Sequence, residues 1–175
     1  MGLRIPIIAL LIVGAQAQAE PAKTYTDPTY KYTITYPGHF VFELKKEKEG
    51  WFVFRHKRGT VEFNANLNVT REEIAEESGI KTTADYAKVA VGVLKKQQPD
   101  AIVVQEPVEC KVDGKDFHKM TTVIPVEKGR FFVVQYCYYS PKHKCAFVWT
   151  AMDATKNPLK DVSALEEIIQ SIKFE

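Results

Sequence analysis

Cysteine is scarce in this chain: Cys110, Cys137 and Cys145 are the three in 175 residues. Their spacing matches no compact ligand motif of the C-x-x-C kind, so a zinc finger or ribbon is excluded. No excess of one charge exists either. The 24 Lys and Arg residues against 22 Asp and Glu give a formal charge of +2, with both signs interspersed. Such a chain has no electrostatic footprint for nucleic acid. Long hydrophobic runs are missing as well. A membrane-spanning helix needs roughly 20 consecutive apolar residues, and every apolar stretch after the first is interrupted by Lys, Glu, Asp or Asn. There is no G-x-S-x-G nucleophile elbow, linker, internal repeat or low-complexity segment.

The first nineteen residues are the most informative segment. Met-Gly-Leu-Arg4 is a short positive start, Ile5 to Val13 an apolar run, and Ala15-Gln-Ala-Gln-Ala19 a small-residue tail. That order predicts a secretory signal peptide over residues 1–19, cleaved after Ala19. The run contains Pro6 and is too short for a permanent anchor. Residues 1–25 hold no Cys to acylate, and Pro6 breaks the myristoylation pattern. The expectation is a soluble mature chain, residues 20–175, that is periplasmic or secreted. Loss of Arg4 leaves it at +1, and its length suits one domain.

Periodicity predicts an α+β fold. Tyr30, Tyr32, Ile34 and Tyr36 alternate with polar residues as in a half-buried strand. Phe40 to Leu44 and Trp51 to Phe54 flank a charged tip and read as a hairpin. Val61 to Val69 alternates with Glu62, Asn64, Asn66 and Asn68. Thr70 with Glu73 suggests a capped helical turn over Arg71 to Glu77. Thr82 with Asp85 opens the main helix, whose stripe is Tyr86, Val89, Ala90, Val93 and Leu94, ended by Pro99. Four strands follow: Ala101–Val112, Lys115–Pro125, Arg130–Tyr139 and Lys144–Met152. The Asp113-Gly114 pair marks a tight hairpin, and the other connections are equally too short for crossovers, so this meander is antiparallel. Arg130–Tyr139, almost wholly apolar, is expected inside the sheet with both faces covered. A last helix, Leu159 to Ser171, presents Leu165, Ile168, Ile169 and Ile172 inward. Helices packed on an antiparallel sheet are the architecture this order implies.

Several segments in order resemble the PsbP/DcrB-like superfamily. They are Tyr30-Lys-Tyr-Thr-Ile-Thr-Tyr-Pro37 followed by Phe40, Asn66-Leu-Asn-Val69, Ala84-Asp-Tyr-Ala87, Val112-Asp-Gly-Lys115 and Ile168-Ile-Gln-Ser-Ile-Lys-Phe174. The resemblance implies an α/β/α sandwich. It also implies an exported accessory or binding protein, non-enzymatic and without a cofactor, that serves an envelope protein or complex. The superfamily includes extrinsic subunits of the oxygen-evolving complex alongside exported bacterial proteins. Fold does not by itself decide function.

Site candidates divide into three groups. Cys137 and Cys145 flank the Ser140–His143 turn; if the hairpin is centred on Pro141 they lie opposite one another, within reach of a disulfide in an oxidising compartment. Cys110 is then opposite Phe117, and His118 opposite Cys137, which puts Cys110 on the other side of the sheet as a free thiol. A one-residue slip would reverse this, so pairings through Cys110 stay open. An alternative is a metal-binding protein or hydrolase that uses the Ser140, His143, Cys137 and Cys145 region, with His118 as a further ligand and Asp153 as orienting carboxylate. Finally, the aromatics on the last two meander strands are either core or a partly exposed wall. Read as a wall, Trp51, Tyr136, Tyr138 and Trp149 form a ligand or partner surface, with Tyr30, Tyr32 and Tyr36 extending it. Asn64, Asn66 and Asn68 form a row of amides, either solvated or bonded to a polar ligand.

Overall fold

The computed structural model describes residues 20–46, 51–56, 65–127, 129–153 and 158–175; the signal segment, Val61, Phe63 and Asn64 lie outside them. Strands β1 (Lys23–Thr26), β2 (Tyr32–Tyr36), β3 (Phe40–Lys46), β4 (Trp51–His56) and β5 (Asn66–Glu73) precede helix α1 (Thr83–Gln97). The meander β6 (Ile102–Val112), β7 (Lys115–Val126), β8 (Gly129–Ser140) and β9 (Cys145–Asp153) follows. Helix α2 (Pro158–Gln170) and the two-residue β10 (Lys173–Phe174) complete the order.

Two antiparallel sheets form. The larger has the order β3-β4-β5-β9-β8-β7-β6, and the smaller β1-β2-β10. The alternating tyrosine strand therefore joins the small sheet rather than the meander. Helix α1 covers one face of the large sheet, over β6 to β8, while α2 and the small sheet cover the other. The second face holds the main core. Leu165, Ile168 and Ile169 from α2, with Ile172 just beyond its end, meet Ile34, Leu67, Phe117, Phe147 and Trp149, all fully buried or nearly so. Each such side chain contributes on the order of 2 kcal/mol relative to exposure. Strand β8 is interior as its composition implies, because its alternate residues are buried on both faces.

Local signals act as the residue chemistry dictates. Thr82 Oγ1 accepts from the Asp85 amide (3.1 Å) and Asp85 Oδ2 accepts from the Thr82 amide (3.0 Å), a complete capping box. Asp113 and Gly114 take φ of 49° and 75°, the left-handed pair that a two-residue hairpin turn requires.

Two local expectations are corrected. Residues 71–73 continue β5 along β9 instead of starting a helical turn, and only Glu76–Ser78 forms a 3-10 turn. Ladder hydrogen bonds outweigh the capping signal there. The buried arc of α1 is Thr83, Tyr86, Ala87 and Val91, whereas Val89 and Val93 are 48% and 44% exposed. The small residues Thr83 and Ala87 allow close approach to the sheet, and the Tyr139 amide donates to Thr83 Oγ1 (3.2 Å). That docking turns the valines outward.

Candidate functional site

The β8–β9 register decides most of the predicted site. Ser140 lies opposite Cys145, and Cys137 opposite Val148. The connection is the four-residue turn Pro141–Lys144 rather than one centred on Pro141, an odd shift of three in pairing. An odd shift exchanges faces. Cys137 consequently packs with Tyr86, Ala87 and Tyr139 beneath α1, while Cys145 joins Phe147 and Trp149 in the opposite core. The expected Cys137–Cys145 disulfide is absent, and all three cysteines are free thiols. Cys110 is opposite Phe117 and His118 opposite Cys137, as the turn symmetry predicts, so Cys110 shares a face with Cys145.

The same register disperses the metal and hydrolase candidates. His118 and Cys137 face α1, Cys145 faces α2, and His143 sits in the exposed turn. Among the described residues no group of three or more His, Cys, Asp or Glu side chains is placed to share a metal ion. Ser140 is buried and linked to His143 through the backbone, its carbonyl accepting from the His143 amide (3.2 Å). Asp153 is eight residues along β9 from the partner of Ser140, about 25 Å at the usual strand rise. No nucleophilic triad assembles from these residues.

The aromatic wall is largely core. Trp149 is 0% and Tyr136 4% exposed. Tyr32 and Tyr36 are buried with them. The Tyr136 hydroxyl donates to Glu166 Oε1 on α2 (2.6 Å), and Lys119 pairs with the same carboxylate. Glu166 is thus a helix-to-sheet tie rather than a solvated charge. Trp51 opens β4, and its side chain lies outside the described part of the structure. Asn68 Nδ2 donates to Asn66 Oδ1 (2.7 Å) on the α1 side of the sheet.

Tyr138 is the member of the predicted set that stays half-exposed, and two clefts meet beside it. The β7–β8 ladder runs from Val126 opposite Gly129 to His118 opposite Cys137. Beyond that point the Tyr139 amide turns to Thr83 on α1, so the end of the sheet opens. A cleft of about 440 Å³ is lined by Tyr30, Lys31, Lys115, Tyr138, Lys142 and Phe174, with Phe147 and His143 at its side. A second, of about 500 Å³, runs towards the start of α1, past Lys81, Thr82, Asp116 and His118. Lys115, Tyr138 and Pro141 line both. These volumes fall in the range of ligand sites, roughly 300–1,000 Å³.

Several anchors hold the walls. Buried Asp27 accepts from the amides of Thr29 (2.9 Å) and Tyr30 (2.8 Å) and pairs with Arg71 (3.6 Å). The Arg71 guanidinium lies 4.8 Å from the Tyr30 ring centre. Asp113 accepts from the Phe174 amide (2.8 Å) and from Lys173 Nζ (3.1 Å), which pins β10 to the β6–β7 turn. Tyr138 stacks on Phe117 at 5.1 Å between centroids. Beneath the cleft, burial raises the Tyr30 hydroxyl and the Cys145 thiol above their ordinary pKa ranges, leaving both protonated and uncharged.

No protein-family model and no curated protein sequence matches this chain. Solved structures do. Cyanobacterial PsbP from Synechocystis superimposes with a TM-score of 0.64 at 16% identity, over 93% of this chain and 96% of that one. LpqN of Mycobacterium tuberculosis, described as involved in cell envelope biogenesis, gives 0.65 at 11% identity over 89% and 86%. The Ran-binding protein Mog1p of Saccharomyces cerevisiae gives 0.59 at 13% over 89% and 96%. The fold is PsbP/DcrB-like.

At the clefts Lys31, Lys115 and Lys142 stand beside Tyr30, Tyr138 and Phe174. Lysine cations supply charge, and the aromatic rings supply apolar area. Lys31, Lys115, Lys142 and Phe174 were missed by sequence reasoning because they stand far apart in the chain and carry no motif. Lys31, Lys115 and Phe174 lie in segments that carry the resemblance to the superfamily, and that was their one signal. Among the described residues, no helix is long and apolar enough to cross a membrane.

Proposed function

We propose that this protein is an exported, non-enzymatic binding or accessory module of the cell envelope. A single domain over residues 20–175 stands behind a signal peptide at residues 1–19 and recognises its partner through the clefts at the end of the large sheet. The single observation that carries this reading is the joined pair of clefts around Tyr138, which sets half-buried aromatic walls beside exposed lysines. The placement of Cys137 and Cys145 on opposite faces of the sheet, and of Asp153 far along β9 from Ser140 and His143, favours recognition over catalysis. Two fold neighbours are described in terms of Ran binding and envelope biogenesis, which agrees with a binding role without naming this partner.

Site-specific photocrosslinking in the native source tests the reading. A photoreactive residue at Lys142, in the cleft, is compared with one at Glu127, in the turn at the other end of the sheet. The expected result is an identified envelope protein captured at position 142 and not at 127. Capture at 127 alone refutes the cleft as the recognition surface. Finding residues 1–19 intact on the protein in the cell envelope refutes the export signal.

A further inference from the structure

We propose that the two adjoining clefts bind an extended acidic peptide segment that carries an aromatic or large apolar side chain. The inference rests on the binding-module reading and adds the chemistry of its ligand.

Shape is the first ground. The clefts share Lys115, Tyr138 and Pro141, so they form one trough that runs from Lys81 and Thr82 to Lys31 and Phe174. A trough across the end of a sheet accommodates a length of chain better than a compact molecule.

Charge is the second. Lys95, Lys111, Lys119, Lys144 and Lys173 each pair with a carboxylate. Lys31, Lys81, Lys115 and Lys142, which line the trough, form no ion pair with a described residue. Of the acidic side chains that line it, Glu109 and Asp116 are already held by Lys111. Glu175 is the remaining acidic side chain along the trough. Four lysines against three carboxylates, two of which share Lys111, leave the trough net positive.

Apolar complementarity is the third. Tyr30, Tyr138 and Phe174 are half-buried, and Lys115 Nζ lies 5.2 Å from the Phe174 ring centre. A ring or branched side chain inserted among them gains area while its flanking carboxylates meet the lysines. In the neighbouring chamber His118 Nδ1 is buried without a hydrogen-bond partner among the described residues. A peptide group lying there can supply one, which removes the cost of an orphaned polar atom.

The test is fluorescence anisotropy on the mature protein, with a short fluorescein-labelled peptide of alternating Glu and Phe. Control peptides replace Glu by Gln or Phe by Ala. The expected result is tightest binding of the Glu/Phe peptide. The double variant Lys31→Glu, Lys142→Glu should weaken it by about tenfold, since each reversed exposed pair is worth up to about 1 kcal/mol. A control of equal charge change on α1, Lys88→Glu with Lys96→Glu, should change it by less than about twofold. Tyr138→Ala should weaken the Phe peptide and leave the Ala peptide unchanged; the lysine variants, at exposed positions, decide the matter even if Tyr138→Ala folds poorly. Equal affinity for the Gln peptide, equal loss in both double variants, or displacement by inorganic phosphate as effective as by unlabelled peptide would each overturn the proposal. If position 142 crosslinks an envelope partner while no acidic peptide binds, the ligand chemistry fails and the module reading survives. Peptide binding without any crosslink at 142 has the reverse meaning.

Discussion

Cys137 offers a quantitative test of where the sheet faces lie. Its thiol is packed between β8 and α1, donates to the His118 carbonyl at 3.5 Å, and is pushed by burial from 9.0 up to about 12. In the unfolded chain the same thiol titrates near 9. The folded state therefore keeps a proton that the unfolded state releases, and stability falls as pH rises above 9. The slope is about 1.4 kcal/mol per pH unit until the folded thiol itself ionises, so about 2–3 kcal/mol is lost from this residue by pH 11. Urea unfolding of wild type and Cys137→Ala between pH 8 and pH 11 measures it. Buried tyrosines contribute to the alkaline loss in both proteins, so the difference between the two curves isolates the thiol. The alanine variant is expected to begin less stable, through lost packing, and to lose less with rising pH. Parallel curves would refute the burial and the register that causes it. Thiolate content also sets alkylation: at pH 8 a thiol with pKa near 12 is about a thousandfold less ionised than an ordinary one. Half-buried Cys110 should accordingly react with iodoacetamide well before Cys137.

Other outcomes follow from single contacts. Unreduced protein, denatured and alkylated, should carry label on all three cysteines, as intact mass will show; two remaining unlabelled would mean a disulfide and a different register. Thr82→Ala removes the capping box at α1 and should cost about 1 kcal/mol in urea unfolding. Leu165→Ala, in the fully buried core, should cost about 2–5 kcal/mol, whereas Val93→Ala on the exposed side of α1 should change stability by less than about 0.5 kcal/mol. Asp113→Ala frees the Phe174 amide, and hydrogen exchange at that amide should rise by at least about tenfold relative to the α2 core.

Much of the fold is legible in local chemistry. The Asp113-Gly114 pair takes the conformation its residue types favour, so the β6–β7 pairing of Cys110 with Phe117 follows by counting. The inner face of α2 follows equally well, because the stripe of Leu165, Ile168 and Ile169, continued by Ile172 past the helix end, has one place to go. Less was legible at the β8–β9 turn. Ser140-Pro-Lys-His143 contains no residue that dictates turn length, and the count from it failed by an odd number. The face of α1 was misread for a related reason: its valines and its Ala87–Val91 side are both apolar, and packing distance chose the smaller residues.

The sequence alone determines the antiparallel meander, the two helices and the cap of α1, since these depend on neighbours along the chain. Its leading nineteen residues supply the export expectation on the same local terms. Tertiary structure alone decided that Cys137 and Cys145 lie back to back across a sheet, and that Trp149 is core while Tyr138 is rim. It also gathered Lys31, Lys115, Lys142 and Phe174 around one trough. Those outcomes depend on register parity and on which helix covers which face, quantities set by the packing of distant segments rather than by any residue's own preference.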